Sequence, residues 1–184
     1  MQFAASHDNI VIISAHPDDM EIGMGGTVAK LVESMAAITS VVVTNGGRSS
    51  NPFALTEQRM AELRREEALR SGGVLGVTNV VFCDAPDAAE EINTTDVKRR
   101  LVELLGRLQP TEVYTLDEER DRHPAHRLAG KLDVLDAGLA EAQVRLLLEV
   151  DDALGVLRRQ APGVDQDRAD RPVRIADLGR QHRH

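Results

Sequence analysis

Two polar clusters in this chain contain the residue types that could bind a metal ion and support hydrolysis. The first has the sequence HPDD and directly follows the apolar run at residues 10–15. The second has the sequence HPAH and follows another apolar run, about a hundred residues later. Carboxylates beside a buried strand are costly unless they bind something. Together the clusters supply the nitrogen and oxygen ligands that a zinc-type ion accepts.

In the first cluster, His16 and Asp19 are candidate metal ligands, separated by three positions across a tight turn. Asp18 would then face whatever the metal holds. A second interpretation makes Asp18 or Asp19 the N-cap of a short helix, with His16 bonded to the backbone. The presence of the second cluster favours the metal interpretation.

In the second cluster, Pro124 fixes the backbone between His123 and His126. Both rings could bind one ion, or one could bind while the other faces a substrate. The alternative is a solvated surface loop, because residues 118–122 before the cluster are polar. Three nitrogen and oxygen ligands with an open position are typical of catalytic zinc, whereas structural zinc prefers four ligands rich in cysteine.

Short β-branched runs alternate with longer amphipathic segments along the chain. Predicted strands lie at residues 9–15, 38–44, 79–84, 111–116 and 143–150. Predicted helices lie at residues 27–37, 56–70, 94–108 and 126–142. Thr27 and either Thr94 or Thr95 are the expected N-caps, and the Gly72-Gly73 pair is expected to stop or bend the second helix.

This alternation predicts an α/β fold, a Rossmann-like open, mostly parallel sheet with helices on both faces. Ligands of such sheets bind beyond the carboxyl ends of the strands. Both histidine clusters directly follow predicted strands, so we expect them to share one rim of the sheet and one site.

The bulk composition indicates one domain over residues 1–157, followed by a basic tail or strap at residues 158–184 with seven Arg and four Asp. The net charge of −8 argues against nucleic-acid or anionic-membrane binding. No leader peptide or membrane-spanning segment is expected, since no apolar run approaches roughly 20 residues. Cys83 is the only cysteine and is expected to be a buried thiol, so a cytoplasmic location is predicted.

Three further features have less to do with chemistry. Gly23, Gly25 and Gly26 do not match a dinucleotide-binding pattern, so they are interpreted as tight-turn and close-packing positions. The charged run at residues 64–67 is, on charge pattern alone, a solvated helix face. Phe53 is the aromatic residue that looks free to form a platform for a sugar.

Several motifs resemble the PIG-L/LmbE-like family of zinc-dependent N-deacetylases. They are residues 15–27 with the HPDD sequence, Thr44-Asn45-Gly46, Arg64-x-x-Glu67 followed by residues 75–77, and His123-Pro124-x-His126. The resemblance runs from about residue 9 to residue 142. It implies a Rossmann-like fold and removal of an N-acyl group, usually acetate from an N-acetylglucosamine unit of a conjugate.

Carried over by position, the resemblance also implies a set of site residues. The implied zinc ligands are His16, Asp19 and His126, with another divalent metal as an alternative to Zn²⁺. Asp18 matches the general base, and His123, in its protonated form, matches the residue that stabilises the oxyanion. Arg64 and, less directly, Arg48 match substrate-binding positions.

The chain departs from the family where Ala125 replaces the Asp commonly found between the two histidines, and beyond residue 142. The expected function is a zinc-dependent hydrolase acting on a small N-acylated sugar conjugate or natural-product intermediate. A metal-binding but catalytically weak accessory or interaction protein is the alternative, and a nucleotide-dependent Rossmann enzyme ranks third. No nucleic-acid or membrane partner is expected, and a homo-oligomer is left open.

Overall fold

The computed structural model describes residues 8–77, 79–119, 121–132, 143–147 and 157–159. A single 3₁₀ turn at Ala89–Glu91 accompanies the longer elements. In chain order these are β1 (Asn9–Ser14), α1 (Asp19–Glu33), β2 (Ala37–Thr44), α2 (Glu57–Leu75), β3 (Asn79–Ala85), α3 (Thr94–Leu108), β4 (Glu112–Leu116), α4 (Pro124–Lys131), β5 (Gln143–Leu147) and β6 (Leu157–Arg159).

The strands form one sheet in the order β3-β2-β1-β4-β5-β6, and the predicted α/β fold class is confirmed. The first five strands pair in parallel, and β6 pairs antiparallel with β5. The chain winds outward from β1 to β3 and then returns to place β4 on the other side of β1. The carboxyl ends of β1 and β4 therefore flank a topological switch point, where α/β sheets bind ligands.

The core is built from aliphatic side chains that lie on and around the central strands. From Ile10 to Ile13 every residue of β1 is at most 1% exposed, as expected for a parallel strand covered on both faces. Tyr114 on β4 is also buried. The predicted burial of Cys83 is confirmed, and burial raises the pKa of its thiol to about 11.

Helix α1 differs from its prediction because it begins at Asp19 rather than at residue 27, so Thr27 lies inside the helix and is not its N-cap. A kink at Met24 interrupts it, with φ −149° and ψ 19°. The first half of α1 could not be predicted from the sequence, because its three glycines each lower the helix propensity. Burial of Met20, Met24 and Val28 along one face supplies the stabilisation that local propensity lacks.

Helix α2 also runs further than predicted, passing through Gly72 and Gly73 to Leu75. Its end is set by Gly76, whose φ of +80° is the left-handed conformation that closes helices. The side chain that caps α3 belongs to Asn93, which accepts a hydrogen bond from the backbone N–H of Asp96 at 3.2 Å. The predicted Thr94 and Thr95 caps are therefore wrong.

Helix α4 ends at Lys131, and the rest of the predicted helix, residues 133–142, lies outside the described residues. Strand β6 was not predicted, and the tail beyond it, residues 160–184, also lies outside the described residues. Among the residues that the structure describes, no helix combines the length and apolar character that crossing a bilayer requires.

Candidate metal centre

The side chain of Asp19 binds the backbone that follows the carboxyl end of β1. Its Oδ2 atom accepts hydrogen bonds from the backbone N–H groups of Ala15, at 2.9 Å, and His16, at 2.8 Å. The carboxylate therefore fixes the turn that carries His16. Asp18 occupies the N-cap position of α1, but its side chain makes no capping hydrogen bond. The capping interpretation therefore explains where Asp18 lies in the chain, but it gives the carboxylate group no role.

The second cluster is positioned by Asp121, whose side chain is 2% exposed. One oxygen accepts the backbone N–H of His123 at 2.8 Å, and the other lies 2.8 Å from Nδ1 of His126. An ionised carboxylate can only accept, so in the neutral ring of His126 this contact places the proton on Nδ1 and leaves the lone pair on Nε2. Nε2 is the atom that faces the first cluster.

Helix α4 reaches the end of β4 because Gly130 has no side chain. A Cβ atom at this position would overlap the backbone oxygen of Leu116. We expect Gly130→Ala to reduce the free energy of unfolding by about 1–3 kcal/mol, since the overlap is with backbone. Urea denaturation of the metal-free chain measures this change.

Gly26→Ala is the matched control, because nothing lies within 4 Å of a Cβ added there. Gly26→Ala should stabilise the helix by about 0.5–1 kcal/mol. The open space beside Gly25 and Gly26 also shows that the predicted close packing at these two positions is wrong. Equal effects of the two substitutions would contradict the close approach at Gly130.

Donor atoms from both clusters converge on one point. Nδ1 of His16 lies 3.1 Å from Nε2 of His126 and 3.7 Å from Oδ2 of Asp19. Nε2 of His126 lies 3.3 Å from Oδ1 of Asp19. Ligands at roughly 2.0–2.1 Å from a tetrahedral zinc are about 3.3 Å apart, so these separations and donor types fit that ion.

His123 extends the cluster to three imidazoles. The candidate ligand atoms of His16, His123 and His126 all lie within 4.8 Å of one another, and His123 is the exposed member. Two ligand sets are thus available, both containing His16 and His126. The third ligand is either Asp19, whose side chain is 11% exposed and already contacts both rings, or the exposed His123.

The charges of the metal-free centre favour ionic contacts among these groups. Burial opposes ionisation of Asp19, but hydrogen bonds with His126 and His16 outweigh it and lower the pKa of the carboxyl. Burial likewise opposes protonation of His16, yet contacts with Asp19 and Asp87 raise its pKa to about 9. The pKa of His126 is also raised, because Asp19 and Asp121 outweigh the effect of burial. A metal ion must therefore displace protons to bind here.

Asp18 is paired with Arg64, whose Nη2 lies 2.8 Å from the Asp18 carboxylate and donates to the backbone oxygen of Pro17 at 2.6 Å. Burial raises the pKa of Asp18, and Arg64 partly offsets this. The side chain of Arg64 is only 15% exposed, so the prediction of a solvated helix face is wrong at this position. Asp18 also has a φ of 155°, a backbone strain of the kind found at functional sites.

His123 borders the same space from the side of α4. Burial and the neighbouring His16 and His126 lower its pKa. The structure therefore favours a neutral His123 ring over the protonated ring that the sequence suggested. A neutral ring still carries one N–H and can donate one hydrogen bond.

The guanidinium of Arg48 is paired with two carboxylates that do not belong to the histidine cluster. Its Nη2 lies 2.8 Å from Oε1 of Glu91, and its Nε lies 3.4 Å from Oε1 of Glu57. The structure brings together His16, Asp19, His123 and His126, but not the guanidinium of Arg48. Phe53 is 75% exposed, so it remains free for contact with a ligand.

Two functional candidates escaped the sequence interpretation. Asp121 stands in a polar run that resembled a solvated loop, and Asp87 follows β3 without a motif. Asp87 Oδ1 lies 3.1 Å from Nε2 of His16, and this hydrogen bond lowers the pKa of Asp87. The position of Asp87 beyond the carboxyl end of a parallel strand is the signal that could have identified it.

The chain has clear relatives among known proteins. The sequence profile of the PIG-L family, described as GlcNAc-PI de-N-acetylase, matches residues 11–135. Diacetylchitobiose deacetylase from Thermococcus kodakarensis is 32% identical over 127 residues, which cover 68% of this chain and 47% of that protein. This chain thus spans about half the length of that relative.

Solved structures share the fold. N,N'-diacetylchitobiose deacetylase from Pyrococcus horikoshii, complexed with its inhibitor MPG, superposes with a TM-score of 0.71 at 24% identity, over 79% of this chain and 62% of that one. The 4-carboxy-2-hydroxymuconate hydratase from Pseudomonas putida superposes with a TM-score of 0.67 at 25% identity, over 76% of this chain and 65% of that one. The same architecture therefore accompanies more than one reaction.

Proposed function

Because the chain belongs to the PIG-L family, whose matched relatives include deacetylases, we propose that it is a zinc-dependent N-deacetylase. The substrate would be a small N-acetylated sugar conjugate or natural-product intermediate. The observation that carries the proposal is the convergence of three side chains. The facing ring nitrogens of His16 and His126 and the carboxylate oxygens of Asp19 lie 3.1–3.7 Å apart.

His16 and His126 would hold the ion, with Asp19 as the third ligand. When bound, zinc supplies Lewis-acid polarisation of the amide carbonyl and lowers the pKa of a water. Asp19 is favoured over His123 because it is less exposed and already contacts both rings. His123 then remains to contact the substrate.

Asp18 would act as the general base of the hydrolysis. Its carboxylate accepts a proton from the attacking water and returns it to the amide nitrogen as the C–N bond breaks, so one water is consumed per acetate released. Arg64 holds this carboxylate through the 2.8 Å contact. His123 donates its N–H to the carbonyl oxygen as that atom gains negative charge.

The pairing of the site arginines favours a neutral substrate. Arg64 pairs with Asp18, and Arg48 pairs with Glu57 and Glu91, so binding an anionic group would require these pairs to break. A carboxylated substrate of the type processed by the structurally similar hydratase is therefore the less favoured candidate. An N-acetylated sugar carries no charge and leaves both pairs intact.

The proposal is tested by measuring the release of acetate and of primary amine. The zinc-loaded chain is incubated separately with N-acetylglucosamine and with N,N'-diacetylchitobiose, and acetate and amine are expected in equal amounts in each reaction. The metal-free chain should release neither. Zinc binding without release from any N-acetylated sugar would instead support the accessory-protein alternative, which Ala125 motivates. Consumption of 4-carboxy-2-hydroxymuconate would support a hydratase.

A further inference from the structure

One carboxylate touches the metal centre and the loop beside it at the same time. Asp87 Oδ1 lies 3.1 Å from Nε2 of His16, and Asp87 Oδ2 accepts the backbone N–H of Arg48 at 2.9 Å. The Asp87 side chain is 9% exposed, and both of its oxygens are engaged. This is a more specific arrangement than a solvated acid on a loop requires.

The contact with His16 determines which ring nitrogen faces the centre. A carboxylate only accepts hydrogen bonds, so Nε2 of His16 must carry the proton in a neutral ring. The lone pair is then on Nδ1, the atom that lies 3.1 Å from Nε2 of His126. Carboxylates that hold metal-ligating histidines in this way fix the tautomer and the ring orientation.

The contact with Arg48 extends the connection to the β2–α2 loop, residues 45–56. Arg48 bridges onward to Glu91, after β3, and to Glu57, the first residue of α2. Displacement of this loop would therefore shift the Asp87 carboxylate that orients His16. Loss of the metal ion would in turn weaken the contact between His16 and Asp87, and so the anchoring of the loop.

We propose that Asp87 is a positioning residue that orients His16 toward the metal and ties the β2–α2 loop to the metal centre. This inference rests on the proposed zinc site. It goes beyond it by linking metal affinity, through one side chain, to the position of the loop that carries Phe53, the exposed aromatic residue available to a ligand. Such a link is reciprocal, because binding at either end stabilises the same arrangement.

Asp87→Asn tests the link, because an amide has only one accepting oxygen for two donors. Zinc affinity of the full chain, measured by chelator competition, is expected to fall about 10–100-fold. The KM for an N-acetylated sugar should rise as well, at saturating zinc. Glu91→Gln is the matched control, since it weakens the exposed pair with Arg48 and leaves both contacts of Asp87 intact.

The tautomer of His16 gives a readout that requires no variant. Long-range ¹H–¹⁵N NMR of the zinc-loaded wild-type chain should show a proton on Nε2 of His16 and the metal on Nδ1. The reverse assignment would overturn the inference, as would equal zinc affinity of the wild type and Asp87→Asn. A wild-type chain that binds no zinc would overturn the proposed function together with this inference.

Discussion

Replacing Asp18 by Asn is expected to leave zinc bound and to reduce kcat by about 10²–10⁴-fold, the usual contribution of a general base. The amide oxygen can still accept from Arg64, and Asn has nearly the same size and shape as Asp. The substitution therefore removes proton acceptance while it keeps the local structure. Acetate release at saturating substrate and metal content after dialysis measure the two effects separately.

Asp84→Asn provides a matched control for this substitution. Asp84 also has a positive φ, 53°, and also pairs with an arginine of α2, with Arg65 Nη1 at 2.8 Å from its Oδ1. It lies outside the histidine cluster, so activity should stay close to that of the wild type. Full activity of Asp18→Asn, or equal losses in both variants, would rule out the base assignment.

Replacing His126 by Ala is expected to abolish both zinc binding and hydrolysis. His126 is common to both ligand sets and contacts His16 and Asp19 directly. The loss of zinc affinity should exceed the 10–100-fold that removal of an outer hydrogen-bond partner causes, since a ligand itself is lost. Metal content of the purified variant and chelator competition provide the measurement.

His123→Ala separates the two ligand sets. With Asp19 as the third ligand, this variant keeps its zinc and loses about 10²–10³ in kcat, the typical effect of removing one oxyanion donor. Loss of zinc equal to that of His126→Ala would show instead that the three histidines form the ligand set. Thermal unfolding of the metal-free variants checks that both remain folded.

The convergence of the two clusters could be predicted from the sequence because it follows from a general property of parallel sheets. Strands β1 and β4 end at the same rim, and each is followed along the chain by a histidine cluster, at residues 16–19 and 123–126. Burial of β1 was equally predictable from its unbroken apolar run. These inferences needed only strand order and periodicity.

The contacts that tune the site could not be predicted, because they depend on tertiary packing rather than on local pattern. Arg64 belongs to a helix whose charge pattern indicates a solvated face, yet it turns inward to Pro17 and Asp18. Asp87 has no motif, and its role depends on the folding of three separate segments around it. The early start of α1 was hidden for the same reason, since burial of its methionines outweighs its glycines.

The two imidazoles that meet at 3.1 Å are 110 positions apart in the chain. No fragment that ends before β4 can therefore assemble the centre, however well its own strands pair. Contacts of such long range form only after most of the chain has been ordered. Uptake of a divalent ion should consequently report completion of the α/β unit, and the ion should stabilise the finished fold in proportion to the logarithm of its free concentration.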